Sequence, residues 1–111
     1  MFEKVYRDND VAVLVSPGFG AGWFTWNEEY PECLFDPDIV TWILNGNNKE
    51  FNSDRDTLPF DFEEKFGRGF YAGGFHELEV EWVPKDSKFI VREYDGAEYI
   101  ELMDKVNWIT A

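Results

Sequence analysis

A chain of 111 residues with 23 acidic and 10 basic side chains has a formal charge of −13, which repels nucleic-acid backbones and anionic membranes and favours basic partners. Aromatics at 19% exclude wholesale disorder, and the length fits one domain, residues 1–111, that buries a core without metal or disulfide. Cys33 and His76 each stand alone, so neither a disulfide nor a thiolate-imidazole metal cluster is expected, and no cofactor is.

In chain order, Phe2, Val5 and Tyr6 lead toward a turn cluster at Asp8-Asn9-Asp10. No apolar run reaches the ~18 residues of a membrane span, and the opening MFEKVYRDND has no apolar signal core, so an intracellular, cytoplasmic protein is expected. Val11 to Val15 is a continuous apolar run rich in β-branched residues and too short for a helix; it predicts a strand buried on both faces. Ser16-Pro17-Gly18 ends it, because proline has no N–H for the ladder and glycine tolerates a sharp turn.

The stretch that follows, Phe19 to Asn27, sets Phe19, Trp23, Phe24 and Trp26 among Gly20, Ala21 and Gly22. Two readings of it stand. The rings plug the end of a small core while the glycines let the backbone fold tightly, or freed N–H groups and a tryptophan platform form a pocket for a planar or anionic ligand. Known nucleotide motifs fail: Trp23 occupies the third glycine position of GxGxxG, and no Gly-Lys-Ser/Thr follows. Ser16 is not in a GxSxG elbow.

Asp36 as N-cap and Pro37 at the first helical position predict a helix over Pro37 to Asn45, ended by Asn45-Gly46-Asn47. Its apolar face is expected to hold Ile39, Val40, Ile43 and Leu44, with Trp42 on the flank. Asn47 to Leu58 lacks periodicity and reads as an exposed loop; a second short helix, capped by Asp61, is expected to carry Phe62 and Phe66 and to close at Gly67. Gly69, Gly73 and Gly74 around Phe70 and Tyr71 make a second glycine-aromatic patch that could fold against the first.

The last third is β-patterned. Leu78, Val80 and Trp82 alternate with Glu77, Glu79 and Glu81; Lys88 to Tyr94 and Glu98 to Met103 flank an Asp95-Gly96 hairpin signal. The expectation is an α+β fold: a single small domain with a C-terminal three-stranded antiparallel meander plus the buried N-terminal strand and one or two short helices. Val106 to Ile109, with Trp108, could add an edge strand or pack across the sheet end.

No catalytic constellation emerges. His76 has no nucleophile partner nearby in sequence, and Cys33 beside Leu34 and Phe35 reads as a small buried hydrophobe. The charge is uneven: Glu28 to Glu64 holds eleven acids against Lys49 and Arg55, a net −9. The candidate ligand- or partner-binding residues are Ser16, Gly18, Phe19, Gly20, Gly22, Trp23, Trp26, Asn27, Tyr71, Gly73, Gly74 and His76; Glu77, Glu79 and Glu81 form the candidate acidic face.

The segment Val15-Ser16-Pro17-Gly18-Phe19-Gly20-Ala21-Gly22-Trp23 with Thr25-Trp26-Asn27, the Gly73-Gly74 step, Pro84-Lys85, and Arg92-Glu93-Tyr94-Asp95-Gly96 followed by Glu101-Leu102 resemble a group of small bacteriophage- and prophage-encoded proteins. The resemblance implies an early or accessory phage protein that acts on host machinery, including defence systems. The expected activity is non-enzymatic: inhibition of a basic host protein or of nucleic-acid-binding machinery, with no direct contact to nucleic acid or membrane. Sequestering of a small molecule or signalling nucleotide is the alternative, a small hydrolase the remote one. Self-association stays open.

Overall fold

The computed structural model describes residues 3–52 and 54–103. Its centre is β2 (Asp10–Val15), flanked antiparallel by β1 (Tyr6–Arg7) and β3 (Glu79–Pro84). The β1-to-β2 turn uses a left-handed Asp8, a conformation that aspartate tolerates, within the expected turn cluster. All six β2 residues pair with β3, from Asp10 opposite Pro84 to Val15 opposite Glu79.

The β2 strand is buried on both faces, as its unbroken apolar run predicts. Ala12 and Leu14 face a core with Ile39, Val40, Trp23, Phe62, Phe70 and Phe75; Val13 and Val15 face the opposite way, with Leu34 and Val83. The second face is covered by a hairpin of β4 (Phe89–Tyr94) and β5 (Ala97–Leu102), whose inward residues Phe89, Val91, Ile100 and Leu102 pack there. The molecule is therefore α+β with three layers: an aromatic-helical layer, a three-stranded sheet, and a two-stranded hairpin.

This layering divides the expected meander. β3 pairs with β2, while β4 and β5 form a sheet of their own. Val13 and Val15 supply the reason, since a meander continued sideways from β3 would leave their face open to water. The chain turns instead through a left-handed Asp86 and lays the hairpin across it.

Helix α1 (Pro37–Leu44) begins as the sequence predicts, with the Asp36 side chain accepting from the Ile39 N–H at 3.0 Å, and Gly46 follows it in the left-handed conformation at φ 85°. Trp42 packs against Phe75, whereas Leu44, expected on the apolar face, is the last residue of the helix and stays half exposed. The expected loop after α1 contains a helical turn, α2 (Asn47–Glu50), which seats Phe51 against Trp42 and Phe75. Helix α3 (Phe62–Lys65) is capped by Asp61, and its Lys65 ammonium bridges to Asp36 and Asp38 at the start of α1. Burial pulls the Lys65 pKa down, but hydrogen bonds to Asp38 and Asp36 outweigh it and raise the value above the ordinary one. Among the described residues no helix is long and apolar enough to cross a membrane. The proposed edge strand at 106–109 lies outside the described residues.

Candidate functional site

Both readings of the glycine-aromatic loop meet in its structure, divided between two tryptophans three residues apart. Trp23 is fully buried: its Nε1–H donates to the Cys33 carbonyl at 2.8 Å, and its ring meets Phe70 edge-on at 5.0 Å and Phe62 at 5.8 Å. Such edge-to-face pairs satisfy the ring quadrupoles and bury large areas. Trp26 lies at the end of a 3-10 turn, Phe24–Trp26, and is 44% exposed. Its indole stacks on Tyr71 with centroids 5.5 Å apart and planes 20° from parallel.

The anion-accepting capacity of the loop is used from within. Glu98, only 3% exposed, enters from β5 and accepts the Ser16 N–H at 2.9 Å, the Trp23 N–H at 2.9 Å, and both the N–H and the hydroxyl of Thr25 at 2.8 Å. The loop does gather N–H donors around a negative group, as its glycines allow, but that group belongs to the chain itself. The hairpin tip locks against the same loop: Gly20 N–H donates to the Asp95 carbonyl at 2.8 Å. A side chain at Gly96 would strike the Ala21 backbone N at 2.7 Å, so the close approach of tip and loop requires glycine there. Gly96 also has φ 86° and follows left-handed Asp95, the two-residue turn that Asp-Gly predicts.

The two glycine-aromatic patches do fold against each other. A Cβ on Gly74 would lie 2.7 Å from the Gly22 carbonyl oxygen, and buried Asn27 clasps Tyr71. Its amide donates to the Trp23 carbonyl at 2.7 Å and to the Tyr71 carbonyl at 2.8 Å, and its Oδ1 accepts the Tyr71 N–H at 2.8 Å. The polar groups of Asn27 are thereby committed to positioning. Trp26 is fixed a second time by its Nε1–H donating to Glu93 Oε2 at 3.2 Å, the same oxygen that takes the Gly96 N–H.

Beside Trp26 a cleft of about 340 Å³ opens toward solvent, lined also by Thr25, Asn27, exposed Glu28 and Glu29, Tyr30 and Gly69. Tyr30 is held by its hydroxyl donating to the Arg68 carbonyl at 2.6 Å and by Phe70 against its ring. Two aromatic and two acidic residues thus line one opening. Glu28, Glu29 and Tyr30 were not among the sequence candidates; they read as an acidic connection, with no local sign that they close on Trp26.

The other candidates distribute as follows. Ser16, Gly22, Trp23, Asn27 and Gly74 are internal and build the loop, whereas Phe19, Gly20, Trp26, Tyr71 and His76 are exposed, with Gly18 and Gly73 between. The acidic row splits. Glu79 and Glu81 lie on one face of β3, but Glu77 belongs to a 3-10 turn, Phe75–Glu77, and folds over Gly18, where a Cβ would collide with its carboxylate. His76 Nε2 lies 3.6 Å from Glu77, a loose contact at the surface. Burial first, then the negative charge of Glu79, raises the Glu81 pKa.

Cys33 is fully buried, and burial together with the charge of Glu98 pushes its thiol well above the ordinary range, so it packs as an inert hydrophobe. Among the described residues no group of three histidine, cysteine or carboxylate side chains is arranged to hold a metal ion. No protein-family model, curated protein or solved structure matches this chain.

Proposed function

We propose that this protein is a non-enzymatic binding protein that captures a basic region of a partner protein, and that in the phage setting its sequence resembles, capture inhibits a host protein. The observation that carries the reading is the immobilised yet exposed Trp26. Its indole is stacked on Tyr71, tethered to Glu93, and open to an acidic cleft. A large side chain whose rotamer is fixed before binding loses little entropy on capture, which is the property of an interface anchor. The charge of −13 speeds encounter with a basic partner, and Glu28 and Glu29 give that attraction a location.

The nucleotide-sequestering alternative has less support. It needs loop N–H groups free for a phosphate, and those of Ser16, Trp23 and Thr25 already serve Glu98.

Affinity capture from bacterial lysate, comparing the native chain with Glu28→Lys/Glu29→Lys at low and high salt, tests the reading. The expected result is a basic protein that is retained at low salt, released at high salt and absent from the variant. An identical set of captured proteins for both chains contradicts it.

A further inference from the structure

We infer that the open edge of β3 is a docking site for an extended segment of a basic partner, which joins the sheet as an added strand and carries lysine or arginine at alternate positions. The inference rests on the basic-partner reading above, but it uses none of the residues that line the cleft beside Trp26 and gives the partner a second point of attachment.

The register of the sheet defines this edge. The Lys85 N–H donates to the Asn9 carbonyl at 2.7 Å, and hydrogen-bonded positions alternate along an antiparallel ladder. Val83, Glu81 and Glu79 therefore turn their backbone groups toward Val11, Val13 and Val15 of β2, and Val80 and Trp82 turn theirs away from the sheet. β3 ends the order β1-β2-β3, and among the described residues no backbone hydrogen bond continues the ladder beyond it. Val80 and Trp82 each offer an N–H and a carbonyl, at the two-residue spacing that an added strand uses. Pro84 lies on the same outward side and has no N–H, so pairing stops there.

The side chains select the occupant. Residues directly opposite each other on neighbouring strands share a face, so a strand added to β3 sets one row against Glu79 and Glu81 and the other against Val80 and Trp82. Both carboxylates are on exposed residues, and among the described residues no cation pairs with either. Burial and then the charge of Glu79 raise the Glu81 pKa, so a cation laid opposite the pair relieves a repulsion that the free protein carries. The complement is a segment in which lysine or arginine alternates with apolar residues. The same row excludes a second copy of this chain, because pairing β3 with its own counterpart sets carboxylate against carboxylate. The outer strand of the hairpin has no such row: the matching alternate residues of β4 are Ile90, Arg92 and Tyr94.

The test titrates the intact, isotope-labelled protein with two peptides of identical composition, one with valine and lysine alternating and one with them in separate blocks, and reads amide hydrogen exchange by NMR. The expected result is that the alternating peptide binds about fivefold or more tightly than the block peptide, the scale of two cross-strand ion pairs. It should also slow exchange at the Val80 and Trp82 amides, and Glu79→Gln/Glu81→Gln should erase the preference. Equal binding of the two peptides overturns the inference, as does binding that leaves exchange at Val80 and Trp82 unchanged. Binding weakened by Glu28→Gln/Glu29→Gln and not by Glu79→Gln/Glu81→Gln overturns the edge site and leaves the reading centred on Trp26 standing. Binding of neither peptide overturns the edge site as well, and the Trp26 reading is then decided by its own capture experiment.

Discussion

The Glu98 carboxylate accepts the backbone N–H of Trp23 at 2.9 Å across 75 positions of sequence, and the same oxygen takes the N–H and hydroxyl of Thr25 at 2.8 Å. One buried side chain thereby sets the path of the loop that buries Trp23 and presents Trp26. The hairpin carries this group, and its Glu93, directly across the strand pair from Glu98, holds the Trp26 indole. The layer that covers β2 is thus also the scaffold for the exposed aromatic pair.

Removing that carboxylate should be costly. Glu98→Gln keeps the shape but turns an amide donor toward other donors, and Glu98→Ala leaves the Ser16, Trp23 and Thr25 N–H groups without their acceptor. Each variant should lose about 2–4 kcal/mol in urea unfolding, the range for stranding buried partners of a charged group. Added formate should restore part of the loss in Glu98→Ala and none in the native chain. Stability unchanged by either substitution would show that the loop holds its path without the carboxylate.

The two tryptophans of the loop should separate cleanly by stability. Trp23→Ala vacates the centre of the aromatic core and strands the Cys33 carbonyl, which corresponds to about 3–5 kcal/mol of lost stability. Trp26→Ala removes only a surface stack and one exposed hydrogen bond, and should cost about 1 kcal/mol or less. Thermal melts of the two variants check this, and comparable losses would contradict the division of roles.

Glu81 gives the pH dependence a sign. Its folded-state pKa is raised above the ordinary 4.5, by burial first and then by the charge of Glu79, so the folded state favours the protonated form. Its favourable contribution is complete below the ordinary value and is lost as pH rises through the raised one. At neutral pH the ionised group is a mild liability. Glu81→Gln should therefore melt higher than the native chain at pH 7, with the difference closing as the pH falls below 4.5. A difference that grows on acidification would reverse the assignment.

Three local signals are written in adjacent residues. The run Val11 to Val15 marks a doubly buried strand because β-branched residues in unbroken series suit no other short element. Asp36-Pro37 marks a helix start, and Asp95-Gly96 a tight hairpin, because each signal resides in the backbone preferences of two adjacent residues. What stayed hidden depends on distant partners. Glu98 in an alternating strand reads as one more solvated acid, and nothing near it reveals the three N–H groups it meets. Trp23 and Trp26 have the same glycine-rich neighbourhood; only the packing of Phe62 and Phe70 on one and the hairpin beside the other separates core from surface. The pairing of β3 with β2 instead of β4 is likewise decided by the two apolar faces of β2, a property of the assembled layers.

The claim that Trp26 meets a partner is tested most directly by comparing capture of one basic partner protein by the native chain and by Trp26→Ala, with melting curves of both recorded alongside. The expected result is a melting temperature close to that of the native chain and an affinity about 30-fold weaker, the loss typical of an interface hot spot. Full capture by a normally folded Trp26→Ala would contradict the account.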